Sequence, residues 1–180
     1  MTIESHGFAA AVGALVPSLL LLLFLEKQWA RELPPQCSSV LDRVLWLDPD
    51  AIFPHFECLG VSGRALYLDY LAFDLLLFPL IYATALHGLL RRLWPERHLV
   101  WCLPGLAALC DVCENVSILE LLRRFPQRWQ TLERGVSVLT RAKWIVLLSA
   151  NVFVVLGIGR VGLQTAVRKR TTTTTTAKDE

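Results

Sequence analysis

The sequence has 180 residues, 54% of them hydrophobic, and a formal net charge of +2 at pH 7. Soluble domains contain roughly 45–50% apolar residues, so this composition, with a mean hydropathy of +0.46, indicates a membrane protein. The length allows one domain, and the near balance of charges excludes the strongly basic character expected of a nucleic-acid partner.

Four apolar segments are long enough to cross a bilayer, which takes roughly 17–25 residues of helix. They are residues 8–25, 66–90, 99–122 and 136–159. The predicted fold class is therefore all-α: a polytopic membrane protein with a four-transmembrane-helix bundle in residues 1–160. Residues 161–180 are polar and low in complexity, and we predict that they form a disordered tail.

A secretory signal peptide is the alternative interpretation of residues 8–25. The preceding MTIESHG has no basic residue, and the apolar run is longer than the usual 7–15 residues of a signal. We therefore interpret this segment as a retained span. It has no ionisable side chain, which indicates a packing role.

The only long predicted connection is residues 26–65. An apolar pattern over Ser39–Leu47 predicts a short helix lying on the membrane surface, with Ser38 or Ser39 as its N-cap and Pro49 after its end. A small soluble core is the alternative, which we set aside because the segment is short. Gly60 and Gly63 predict a turn before the second span.

Polar side chains mark one face of the second span. Tyr70, Asp74, Phe78 and Tyr82 recur at every fourth residue, so they lie on the same side of a helix. A carboxylate facing lipid is costly, and this face is therefore expected to contact other helices.

Several motifs occur in a fixed order along the chain. The run Leu59-Gly60-x-x-Gly63-Arg64-x-x-Tyr67 precedes Asp74, Pro79 and Tyr82, then Asp111-x-x-Glu114-Asn115 in the third span and Lys143 in the fourth. Over about residues 48–159, this order resembles a family of small four-span membrane proteins from bacteria and eukaryotes. The resemblance implies the architecture and the choice of polar residues. The family has no assigned activity, so the resemblance implies no reaction.

Ionisable residues of three spans are predicted to lie at one depth. At 1.5 Å per residue, Asp74, Asp111, Glu114 and Lys143 come to roughly 10–17 Å from the same face of the bilayer. A charge at the bilayer centre costs about 2.5–3.5 kcal/mol, so we expect Lys143 to pair with Asp111 or Glu114 and another carboxyl to be protonated. The predicted intramembrane polar site, with its neutral hydrogen-bonding groups, comprises Tyr70, Asp74, Tyr82, Asp111, Glu114, Asn115 and Lys143.

Four functional interpretations remain open for this site. It could bind a lipid or small amphiphile, or relay protons. The same polar face could instead contact membrane-protein partners in a larger complex, or only hold the helices together, since interhelical polar contacts contribute about 0.6 kcal/mol each.

The histidines are scattered and Lys143 lies at the level of the acids, so we predict no metal site and no cofactor. Basic residues are divided equally between the two sides, which predicts no orientation.

Cysteines suggest a further alternative, a thiol–quinone oxidoreductase of the vitamin K epoxide reductase or DsbB type. Such enzymes combine a loop cysteine pair with a CxxC motif, and here Cys37 and Cys58 lie in the long connection while Cys110 and Cys113 lie in the third span. Residues three apart on an intact helix seldom meet disulfide geometry. Packing is therefore the simpler role for Cys110 and Cys113, and whether the protein is an enzyme stays open.

Overall fold

The computed structural model describes residues 13, 17, 19–25, 27–28, 30–31, 33, 37 and 40–176. The described chain is all-α, without strands, as predicted. A 3₁₀ turn at Leu41–Arg43 precedes four helices: α1 (Pro49–Leu76), α2 (Phe78–Leu93), α3 (His98–Arg124) and α4 (Gln130–Thr176). Residues 19–25 are also helical.

Three helical stretches of the described chain are long and apolar enough to cross a membrane. They are Pro49–Leu93, which joins α1 and α2, His98–Arg124, and Gln130–Gln164. These stretches contain the predicted second, third and fourth spans. Half of the first predicted span, residues 8–25, lies outside the described residues.

α1 begins earlier than the sequence predicted. The Asp48 carboxylate accepts a hydrogen bond from the backbone N–H of Asp50 at 3.1 Å, and Pro49 occupies the first helical turn, where its missing N–H has no consequence. Pro49 therefore starts a helix instead of following one. Gly60, with φ 64° and ψ −171°, interrupts α1 at the position predicted to turn, because only glycine adopts that conformation without strain.

The second predicted span consists of two helices. The helical path is interrupted at Leu77, with φ −112° and ψ −48°, between the end of α1 and the start of α2. Pro79 follows in the first turn of α2, where it has no N–H to continue the hydrogen bonds of α1. Tyr82 and Asp74 thus belong to different helices.

The segment before α1 differs from the predicted surface helix over Ser39–Leu47. Within the described residues 40–47, only Leu41–Arg43 is helical, and Val40, Leu41 and Leu47 turn inward and are no more than 4% exposed. Their partners include Tyr67, whose hydroxyl accepts a hydrogen bond from the N–H of Leu41 at 3.3 Å. The connection therefore contributes to the core that the helices share, and the surface helix predicted over these residues is wrong.

Apolar clusters occupy three levels along the helices, and α3 contacts both α2 and α4. The largest cluster lies at the end near the long connection and includes Phe56, Tyr67 and Ile118. Tyr82, Ala107 and Ala108 form the second cluster, and Leu90, Val100 and Ala150 form the third at the opposite end. Along α3 and α4, the polar residues Asp111, Glu114 and Lys143 fall between the first cluster and the second or third.

The backbone of α4 remains helical to Thr176, past residue 161, where a disordered tail was predicted. Threonine has only a moderately lower helix propensity than alanine, so its run does not by itself end a helix. Residues 177–180 of the predicted tail lie outside the described part of the chain.

Candidate functional site

Lys143 forms the centre of a buried charged cluster. Its Nζ lies 2.7 Å from Glu114 Oε2 and 3.2 Å from Asp111 Oδ1. All three side chains are at most 6% exposed. Asp111 and Glu114 are three residues apart on α3, so both can reach one ammonium on α4. The predicted pairing of Lys143 is therefore present, and it involves both acids.

A neutral amide links this pair to α1. Asn115 Nδ2 donates hydrogen bonds to Asp74 Oδ2 at 2.6 Å and to Asp111 Oδ1 at 3.4 Å. Tyr82 on α2 donates its hydroxyl proton to Asp111 Oδ2 at 3.2 Å. Residues of all four helices thus meet in one network, and Asp74 and Asn115 are no more than 2% exposed.

The sequence analysis missed Thr140. Its hydroxyl lies 2.6 Å from Glu114 Oε1 and 2.8 Å from the backbone carbonyl of Val136, and its one proton can bond to either. Thr140 is fully buried and precedes Lys143 by three residues, so it lies on the same helical face. The three-residue spacing from Lys143 could have identified Thr140 in the sequence, but Thr140 was overlooked because its side chain is uncharged.

A cavity of about 390 Å³ opens beside the cluster. The polar residues of its lining are Asp74, Asp111, Lys143, Tyr82 and Arg43. The remaining walls are apolar and aromatic: Leu19, Leu22, Leu23, Phe78, Trp144 and Leu147. The lining therefore combines charged groups with a larger number of apolar and aromatic side chains. Sequence reasoning predicted neither the cavity nor Arg43 and Trp144 in its lining.

Tyr70, the seventh predicted site residue, contributes to an apolar cluster. Tyr70 is buried in the apolar cluster near the long connection, with its ring centre 6.1 Å from that of Tyr67. The hydrogen bond from Tyr70 to a carboxylate stays a prediction. The other six predicted residues, Asp74, Tyr82, Asp111, Glu114, Asn115 and Lys143, come together.

Cysteines form one bridge, between Cys37 and Cys58, with their Cα atoms 6.0 Å apart. The bridge ties the long connection to α1. Cys110 and Cys113 are free thiols, with Cys110 half-buried and Cys113 exposed on the surface of α3. The described residues contain no group of three or more histidine, cysteine or acidic side chains arranged to hold a metal ion.

The functional interpretation of this chain rests on the arrangement of its side chains, because comparison with known proteins gives no match. No family model, curated protein or solved structure matches the chain.

Proposed function

We propose that the chain is a multi-pass integral membrane protein, a bundle of four transmembrane helices, that binds a lipid or other small amphiphile in the cavity beside Lys143. The proposal has two parts: insertion in the bilayer, and a ligand within the bundle.

The distribution of polarity supports insertion. The charged and amide side chains of the site are buried, whereas α4 carries large apolar residues that are each more than half exposed: Val138, Ile145, Leu148, Val152, Val155 and Leu156. Soluble proteins rarely expose a continuous apolar face of this size, because contact of apolar side chains with water is unfavourable. A helix in a bilayer contacts lipid chains through such a face.

Tryptophan–arginine pairs at both ends of the bundle support the same conclusion. Near the long connection, Arg141 lies over the ring of Trp46 at 5.6 Å, and Trp46 is 65% exposed. At the opposite end, Arg160 lies over Trp94 at 5.3 Å and Arg91 over Trp101 at 5.6 Å. Tryptophan and arginine concentrate at the two membrane–water interfaces, so these pairs fit the limits of the hydrocarbon layer.

The cavity is the observation that carries the ligand proposal. Its volume falls within the roughly 300–1,000 Å³ of small-molecule pockets, and its lining joins leucine and aromatic walls to a few convergent polar groups. An amphiphile has the same division between an apolar chain and a polar head. Side chains that serve only to hold helices together would be expected to pack without such a space.

Native mass spectrometry of the protein released from lipid nanodiscs tests this proposal. We expect a protomer carrying a bound amphiphile, and Leu147→Trp, which fills the cavity, should abolish the bound mass. Leu148→Trp is the matched control, because Leu148 is 51% exposed and does not line the cavity. An adduct retained in both variants would contradict the proposal. Recovery of the protein only within a larger assembly would favour the alternative of a structural subunit.

Proton passage is a second candidate function, favoured by a polar stripe on α4. Glu133, Ser137, Thr140 and Lys143 follow one another at intervals of three or four residues, and all are at most 4% exposed. Glu133 also pairs with Arg128 at 2.7 Å near the end of the helix. Proton uptake by vesicles containing the protein should then fall in Ser137→Ala. Unchanged uptake in that variant would remove this candidate.

A further inference from the structure

Two arginines converge on one tryptophan at the end of the bundle away from the long connection. The guanidinium carbon of Arg97 lies 5.8 Å from the ring centre of Trp94, and that of Arg160 lies 5.3 Å from the same point. Arg97 belongs to the connection between α2 and α3, whereas Arg160 is on α4. Both arginines are exposed. Two parts of the chain thus present positive charges at one place on the surface.

Neither of these two charges has a carboxylate partner in the described part of the chain. Arg97 and Arg160 form no ion pair there. The only acid in residues 85–105 and 150–164 is Glu96, which is exposed. Two like charges at one place repel each other, so an anion from outside the chain would stabilise this arrangement.

The opposite end of the bundle differs in this respect. There Arg124 lies 2.6 Å from Glu120, and Arg128 lies 2.7 Å from Glu133. Arginines at that end can therefore meet their counter-ions within the chain, whereas the pair at Trp94 does not.

Contacts with the rest of the fold hold Trp94 in place. Its Nε1 donates a hydrogen bond to the Phe153 carbonyl at 2.9 Å, and the two rings meet edge to face at 6.1 Å. Its own carbonyl accepts hydrogen bonds from the N–H of Arg97 at 3.0 Å and from Nε1 of Trp101 at 2.8 Å. The ring is therefore a fixed platform between α2, α3 and α4, and the two guanidinium groups beside it form a defined site.

We infer that Arg97 and Arg160 bind the phosphate of an anionic phospholipid, at a site separate from the cavity beside Lys143. Guanidinium groups form charge-assisted, often bidentate hydrogen bonds with phosphate oxygens. The choline of a zwitterionic lipid would bring a further positive charge, which favours a head with net negative charge. This inference rests on the insertion of the chain in a bilayer, the first part of the proposed function, and not on a ligand in the cavity.

Apolar residues next to Arg160 fit the acyl chains of such a lipid. On α4, Val155, Leu156 and Ile158 precede Arg160 and are each more than half exposed. A phosphate at Arg160 would therefore place its chains along this apolar surface, as tryptophan and arginine at a membrane–water interface require. A soluble anion would leave the surface uncovered.

The side of the membrane fits as well. The bridge between Cys37 and Cys58 lies near the opposite end of the bundle, and disulfides persist on the non-cytosolic side. The arginines at Trp94 then face the cytosolic leaflet, in which anionic lipids concentrate.

Native mass spectrometry of the protein released from nanodiscs tests this site. The nanodiscs contain equal amounts of phosphatidylglycerol and phosphatidylcholine with the same acyl chains, so the two lipids differ only in the head. We expect phosphatidylglycerol to be enriched over phosphatidylcholine among the lipids that stay bound. The enrichment should persist in Leu147→Trp, whose filled cavity removes any contribution from the ligand of the proposed function.

Arg97→Gln and Arg160→Gln should each lower this enrichment about fivefold, and the double variant should lower it further. Arg134→Gln is the matched control, because it removes the same charge from an exposed position at the opposite end of α4, and it should behave as wild type. If a variant does not fold, the comparison of the two lipids in the wild-type protein decides.

The possible results separate this inference from the proposed function. Equal retention of both lipids, no loss in the two arginine variants, or the same loss in Arg134→Gln would overturn the site and leave the cavity ligand standing. Loss of the enrichment in millimolar sodium phosphate at constant ionic strength would show a site for soluble phosphate and overturn the lipid assignment. Failure of the protein to insert in nanodiscs would overturn both proposals.

Discussion

The ammonium of Lys143 lies 2.7 Å from the carboxylate of Glu114, and neither side chain is more than 5% exposed. The two residues are on different helices, α4 and α3, so the pair fixes both the rotation and the relative depth of these helices. Breaking a buried pair leaves a charge without compensation and typically costs about 3–5 kcal/mol, whereas a surface pair contributes about 0–1 kcal/mol. The stability of this bundle should therefore depend on the pair.

Thr140→Val should destabilise the protein, because Glu114 loses the hydroxyl 2.6 Å from its Oε1 while the volume of the side chain is almost unchanged. The expected loss is about 1–3 kcal/mol of unfolding free energy, the usual result when a buried charged group lacks a hydrogen bond. Unfolding by SDS in mixed micelles measures it. Thr140→Ser keeps the hydroxyl and should lose less, and Thr131→Val, at an exposed position of α4, should have almost no effect. Equal losses for Val and Ser would show that the hydroxyl does not matter.

The bridge between Cys37 and Cys58 predicts which side of the membrane holds the long connection. Disulfides persist in oxidising compartments and are rare in the cytosol, so this connection should lie on the non-cytosolic side. Alkylation of denatured protein from cells should modify two of the five cysteines only after reduction. Modification of all five without a reductant would contradict the bridge and the orientation inferred from it.

The proposed four spans would place both termini on the side opposite the long connection. Single-cysteine labelling in sealed vesicles should therefore modify a cysteine in residues 171–176 and one at exposed Trp46 from opposite sides. Each single cysteine is introduced into a variant from which the native cysteines have been removed. Labelling of both positions from the same side would mean an even number of crossings between them and would contradict the three predicted spans.

The sequence was most informative about the charged site, because membrane topology converts sequence position into depth. Asp111, Glu114 and Lys143 were found by that rule, together with the cost of an unpaired charge. Thr140 and Arg43 were missed for different reasons. Thr140 was overlooked as a neutral residue, whereas Arg43 reaches the cavity only because its segment folds inward.

The part of the fold around the long connection could not be predicted in the same way. Val40 and Leu47 have the spacing of a surface helix, but their burial depends on contacts with Tyr67 and Phe56, which no local pattern specifies. Pro49 was correctly identified as a helix boundary, but not as a beginning. Proline fits the first turn of a helix as well as the residue after a helix end, and the Asp48 cap decides between these roles.

Two glycines of α4 offer a test of the packing at the far end of the bundle. A Cβ on Gly157 would lie 2.8 Å from Leu93 Cβ and 2.9 Å from Trp94 Nε1, the donor of a 2.9 Å hydrogen bond to the Phe153 carbonyl. Gly157→Ala should therefore cost about 1–3 kcal/mol in SDS unfolding. A Cβ on Gly159 meets nothing within 4 Å, so Gly159→Ala should be neutral or stabilise the helix by up to about 1 kcal/mol. A change in unfolding free energy of the same sign and size for both variants would contradict this packing.

The central claim is that Lys143 compensates the acids of α3 inside the bundle, and a double-mutant cycle tests it most directly. Unfolding free energies are compared for wild type, Lys143→Met, Glu114→Gln and the double variant, with a second cycle using Asp111→Asn. Arg134→Met, at an exposed position of the same helix, controls for the loss of a positive charge.

We predict a loss of about 3–5 kcal/mol in Lys143→Met, part of which is recovered when Glu114→Gln or Asp111→Asn removes the orphaned carboxylate. The coupling energy should exceed about 0.5 kcal/mol, the limit within which independent sites add. Additive losses in both cycles would mean that Lys143 is not the counter-ion of either acid, and the buried charged site would be contradicted.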